Sequence, residues 1–157
     1  MTKALLTIHV LAAIIAIGPV TLAASMFPAA ARCAAESGAD RDRAVVSTLH
    51  RLCRVYAGIG IVVPAFGFAT ASAMHVLGDG WVMVSIALTV AAAAVLGLMI
   101  LPGQAAALIP ENLTGPAPLR VEQRTVSQLA MYTGVFNVLW VIVTILMIVR
   151  PGSTTGA

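Results

Sequence analysis

Residues 81–101 read WVMVSIALTVAAAAVLGLMIL, 21 consecutive positions without a charged side chain. A helix of that length rises about 31 Å, which matches the ~30 Å hydrocarbon thickness of a bilayer. Lipid offers no partner for backbone N–H and C=O groups, so such a run must satisfy them internally as a helix. Directly upstream, Gly78-Asp79-Gly80 has the composition of a tight turn, and residues 55–77 form a second apolar run. So short a link makes the two helices antiparallel neighbours.

Two further apolar runs, residues 4–31 and 129–149, complete a set of four. The whole chain fits this reading. Of its 157 residues, 60% are hydrophobic and 10% charged, against about 25% charged in ordinary soluble domains. The fold expected is all-α: a single integral membrane domain over residues 1–157, built as an antiparallel bundle of four transmembrane helices. The first run has one basic residue before it, Lys3, and is much longer than the ~7–15-residue core of a signal peptide, so it reads as a helix that stays. Pro19 and Pro28 predict a kink followed by an exit into the headgroups. Arg32 immediately before Cys33 argues against a lipoprotein site.

The connections set the orientation. The links after helices one and three carry Arg32, Arg41, Arg43, Arg51, Arg54, Arg120 and Arg124, whereas the opposite side carries Lys3 and Arg150. Basic residues collect on the cytoplasmic face, so both termini and the Gly78–Gly80 turn are expected outside. Cys33 and Cys53 then face a reducing compartment as free thiols. Within the first link, Arg41 to Arg54 has helical spacing. Arg43, Ser47, His50, Arg51 and Arg54 fall on one face, and Val45, Val46, Leu49, Leu52 and Cys53 on the other. This predicts an amphipathic cytoplasmic extension of helix two along the membrane surface, with Arg43, Arg51 and Arg54 on anionic headgroups and His50 solvated. Residues 102–127, which contain Pro102, Pro110, Pro116 and Pro118, read as a loop, with helix four beginning its first turns near Leu119.

Two histidines carry the sharpest chemical expectation. His9 lies six residues past Lys3, and His75 four residues before Asp79. Counted from the outer face, these are depths of ~9 and ~6 Å. Ionisable side chains within a membrane usually face the bundle interior. Ala12, Ala13 and Ala16 flank His9, and Gly67 and Ala71 line up with His75, small residues that permit close packing or a flat cofactor. Two imidazoles at one depth suit bis-histidine ligation of haem b, with Lys3 and Arg150 placed to neutralise its propionates. The plain alternative is a pair of interfacial histidines bonded to water or to a neighbouring helix. On helix four, Thr133, Asn137, Trp140 and Thr144 form a polar line at helical spacing. It reads as interhelical packing or as one wall of a quinone or small-solute pocket. There is no P-loop, GxSxG, HExxH or GxGxxG motif and no intramembrane carboxylate pair, so no catalytic residue is assigned. Sparse aromatics exclude a nucleic-acid stacking platform.

The stretch Ile8-His9-Val10-Leu11-Ala12-Ala13 through Ile17-Gly18-Pro19 resembles the first helix of a family of predicted bacterial integral membrane proteins with no assigned function. Such proteins share four helices, an early His followed by a Gly in helix one, and a later His. More distantly, the layout is similar to the copper-resistance D family, membrane proteins linked to copper handling. These resemblances imply a multi-pass protein of a bacterial plasma membrane. Three functional readings follow: a haem-binding, redox- or quinone-linked protein; a non-catalytic scaffold or accessory subunit with a membrane-protein partner or a second copy of itself; and a small-solute or copper transporter.

Overall fold

The computed structural model describes residues 2–108 and 123–152, and every element among them is helical. Helix α1 spans Thr2–Ser37, α2 Asp40–Gly60, α3 Val62–Ala73 and α4 Gly80–Ala94. A π-helical turn, Val95–Ile100, leads into α5, Leu101–Leu108, and α6 spans Gln123–Val149. Taken through their breaks these form four rods, Lys3–Ser37, Asp40–Ala73, Gly80–Leu108 and Arg124–Val149, each long and apolar enough to cross a membrane. Pro110, Pro116, Pro118, Arg120 and the expected onset of helix four near Leu119 lie outside the described residues.

The boundaries depart from the sequence reading where packing overrides local signals. α1 does not exit after Ala31 but continues through both Pro19 and Pro28 to Ser37. Each proline frees only the carbonyl four residues back. A buried stripe of Ala16, Val20, Ala23, Phe27, Ala31 and Ala34 holds the helix on either side. At 36 residues α1 is about 54 Å long, well beyond the hydrocarbon thickness. Its C-terminal part pairs with α2 across a two-residue turn in which Gly38 takes φ +62°, a conformation that glycine adopts without strain. The apolar face of α2, Val46, Leu49 and Cys53, is buried in one cluster with the α1 alanines. The segment Arg41–Arg54 is helical, as the sequence reading expected, and forms one arm of a helical hairpin with the end of α1.

The second rod breaks at Ile61. Pro64 has no N–H to offer the Gly60 carbonyl. The Ile61 N–H bonds back to the Gly58 carbonyl at 3.3 Å, and Ala65 reaches the Ile61 carbonyl at only 3.5 Å. In the third rod Pro102 lies inside α5 instead of opening a loop. The wider π turn just before it relieves the clash between a helical proline ring and the carbonyl four residues back.

Packing is uneven along the bundle axis. The core cluster joins Val20 to Ala34 of α1 with Val46, Leu49 and Cys53 of α2, Leu96 and Ile100 of the π turn, Ala107 of α5, and Leu129 and Phe136 of α6. All lie toward the α1–α2 hairpin. Beyond that cluster α1 packs on α3 and α4 on α6, and α1 also meets α6, but α3 and α4 barely touch. The two pairs splay apart there.

Candidate functional site

The splay leaves a cleft of about 1550 Å³ lined by α1, α3, α4 and α6, larger than the ~300–1,000 Å³ of ordinary small-molecule sites. Its walls are mostly aliphatic, and many of them, including Ile14, Phe68, Val90 and Ile148, are exposed at the edges of the bundle. A molecule dissolved in lipid can therefore enter sideways.

His9 is the buried ionisable group of this cleft, only 8% exposed. Its Nδ1 lies 3.0 Å from the Val63 carbonyl of α3. A carbonyl only accepts, so Nδ1 is the donor of this bond, and Nε2 is left without a protein partner. The ring packs onto Gly67, where a Cβ would come within 2.9 Å of Cε1. Glycine is required at that position to let the imidazole lie against the α3 backbone.

Facing it on α4 are Trp81, Ser85 and Thr89. The Ser85 hydroxyl donates to the Trp81 carbonyl and the Thr89 hydroxyl to the Ser85 carbonyl, both at 2.8 Å. The sequence reading assigned none of these three. The available signal was the i, i+4 pair of hydroxyls within an otherwise apolar run. From α6, Asn137, Trp140 and Thr144 of the expected polar line reach the cleft, whereas Thr133 does not line it. The Asn137 amide donates to the Ser25 hydroxyl at 3.2 Å, and Thr144 donates to the Trp140 carbonyl at 2.8 Å. Three side-chain atoms of this line, Thr133 Oγ1, Asn137 Oδ1 and Trp140 Nε1, are buried without a partner. At the mouth, the Arg150 guanidinium lies 5.9 Å from the Trp81 ring centroid, and the Trp81 indole donates to Asp79 at 3.1 Å.

His75 stands elsewhere. It follows the end of α3 with φ 56° and is exposed. The Val76 N–H bonds to the Ala71 carbonyl and the His75 N–H to the Ser72 carbonyl, the double bond pattern of a Schellman helix stop with His75 at the left-handed position. His9 contacts α3 at Val63 and Gly67, six to ten residues before Ala73, the last helical residue. That is about 9–15 Å of helix. The two imidazoles as placed do not occupy one level, so this arrangement does not fit a haem held between them, and no chemistry is derived through one. Lys3 is exposed at the start of α1, and its carbonyl accepts from the Thr7 hydroxyl at 2.9 Å.

A second polar cluster lies at the hairpin end. Gln104 of α5, 1% exposed, accepts from His50 Nδ1 at 3.2 Å and donates to Cys53 Sγ at 3.6 Å. His50 is thus half-buried against α5 and not solvated as its place on the basic face suggested. Cys33 and Cys53 are both free thiols. Arg43 pairs with Asp40 at 3.5 Å, and Arg51 and Arg54 are exposed.

Residues 3–151 match the family described as predicted integral membrane protein (DUF2269), and the chain belongs to that family. No curated protein and no solved structure matches it.

Proposed function

We propose that this member of the family of predicted integral membrane proteins binds a lipophilic ligand in the cleft between α1–α3 and α4–α6. The observation that carries the reading is a volume of about 1550 Å³ with His9 pinned in its wall. A membrane helix that only scaffolds would close such a gap on small residues, and α1 does so at the hairpin end. The distribution of basic residues supports an open end at the outer face, and the resemblance described above supports the plasma membrane of a bacterium. The ligand then enters from the outer leaflet, and a quinone-linked role suits the site better than a haem one. On the opposite face the exposed Arg51 and Arg54 would meet anionic headgroups, each worth about 1 kcal/mol near such a surface, whereas the side chain of Arg43, paired with Asp40, is only 12% exposed.

The two tryptophans of the chain, Trp81 and Trp140, both line the cleft, so their fluorescence reports occupancy. Titrating detergent-purified protein with 4-dodecylphenol should give a saturable change with one site per chain. Gly18 lines the cleft and has nothing within 4 Å of an added Cβ. Gly18→Phe should therefore fill the space and abolish the saturable phase. A response that never saturates, or one that Gly18→Phe leaves intact, would defeat the proposal.

A further inference from the structure

We infer that the cleft selects hydrogen-bond donors, so that its ligand is a hydroxyl-bearing lipophile and, among membrane quinones, the reduced quinol in preference to the oxidised quinone. The inference rests on the binding role proposed above and adds the chemistry of the head group.

The argument counts protons at one level of the cleft. His9 lies seven residues from the start of α1, Ser85 and Thr89 lie five and nine from the start of α4, and Thr144 lies five before the end of α6. At helical rise these are depths of about 8–14 Å, one belt around the cleft. Every polar hydrogen in that belt with surface open to the cleft is already engaged. The His9 Nδ1 proton goes to the Val63 carbonyl. The hydroxyl protons of Ser85, Thr89 and Thr144 go to carbonyls of their own helices. What remains are lone pairs: His9 Nε2 and the hydroxyl oxygens. Of the other donors, Trp140 Nε1 lies at this level without a partner but has no exposed surface to offer a ligand, the Asn137 amide is bonded to Ser25, the Trp81 indole to Asp79, and Arg150 and Thr21 stand at the mouth and deep end of the cleft.

A quinone head offers only carbonyl oxygens, and lone pair against lone pair forms no bond. Removing that head from lipid would gain nothing from His9. A quinol or phenol offers O–H, which His9 Nε2 accepts while Val63 fixes the ring. The tautomer is enforced by a backbone carbonyl, so the selectivity is built into the fold and does not depend on the rotation of a hydroxyl alone.

The test compares two probes, 4-dodecylphenol and 4-dodecylanisole, in which the ring oxygen carries a hydrogen or a methyl group in its place, by tryptophan fluorescence on the full chain. One hydrogen bond of ordinary net strength predicts about tenfold tighter binding of the phenol. His9→Gln, whose amide can donate to Val63 and still present an oxygen, should keep most of that ratio. His9→Leu should bring it close to one. If His9→Leu does not fold, Thr89→Val and the wild-type ratio decide, with Thr89→Val expected to reduce the preference only in part. Equal binding of the two probes, tighter binding of the ether, or a preference untouched by His9→Leu would overturn the inference while leaving cleft binding intact. Failure of both probes to saturate would instead remove the underlying binding role.

Discussion

Adding a methyl group at Gly67 tests whether His9 is truly held between α3 and the cleft. In the wild-type protein the new Cβ would stand 2.9 Å from His9 Cε1 and 3.3 Å from Nδ1, closer than carbon and nitrogen tolerate. The ring has open cleft beside it and would swing out, losing its bond to the Val63 carbonyl. A buried N–H left without a partner costs about 1–3 kcal/mol. Against this, replacing glycine by alanine in a helix gains up to about 1 kcal/mol. The Gly67→Ala change should therefore destabilise the wild-type bundle by roughly 0–2 kcal/mol. With His9→Ala already present, nothing opposes the methyl group, and Gly67→Ala should stabilise by up to about 1 kcal/mol. The coupling between the two positions is then about 1–3 kcal/mol. Unfolding in mixed micelles with a denaturing detergent, followed by fluorescence of Trp81 and Trp140, measures all four corners of the cycle. An effect of Gly67→Ala with the same sign and size in both backgrounds would refute the placement of the imidazole against α3.

Other outcomes follow from single positions. His75→Gly should stabilise the protein by about 1 kcal/mol in the same unfolding assay, because a left-handed backbone strains a residue with a Cβ; destabilisation would mean that the His75 side chain makes a contact that matters. In native membranes a maleimide should modify Cys33, which is exposed, and spare Cys53, which is fully buried, until the protein is unfolded. Rapid labelling of Cys53 in the folded protein would contradict the packing of the hairpin. A reporter that fluoresces only in the cytoplasm should stay dark when fused after Ala157, and bright fluorescence there would invert the orientation drawn from the basic residues.

What the sequence carried was everything set by the solvent. Twenty-one uncharged residues between Trp81 and Leu101 admit only a helix in lipid, and the same logic yields all four rods, because the bilayer leaves backbone groups no other partner. The polar line on α6 was likewise legible, since a helix displays its period in the spacing of its residues. Boundaries were less so. Pro19, Pro28 and Pro102 are local signals for ending a helix, and tertiary packing on the α1 stripe and the π turn overrode them.

The candidate site depended on register, which no single helix encodes. His9 and His75 were each measured from the nearest polar residue, and those two rulers have different origins. The two-residue turn at Gly38 and Ala39 ties α1 to α2, and counting outward from it sets His9 beside Val63 and Gly67 and leaves His75 beyond the helix end. The cleft is a further step removed. It exists because α1–α3 and α4–α6 pack tightly at the hairpin end and diverge at the other. The sequence by itself determined which segments cross the membrane, since that is a contract between each segment and its solvent. Only the tertiary structure decided which side chains share a space, because the meeting of two helices is fixed by the turns and contacts between them.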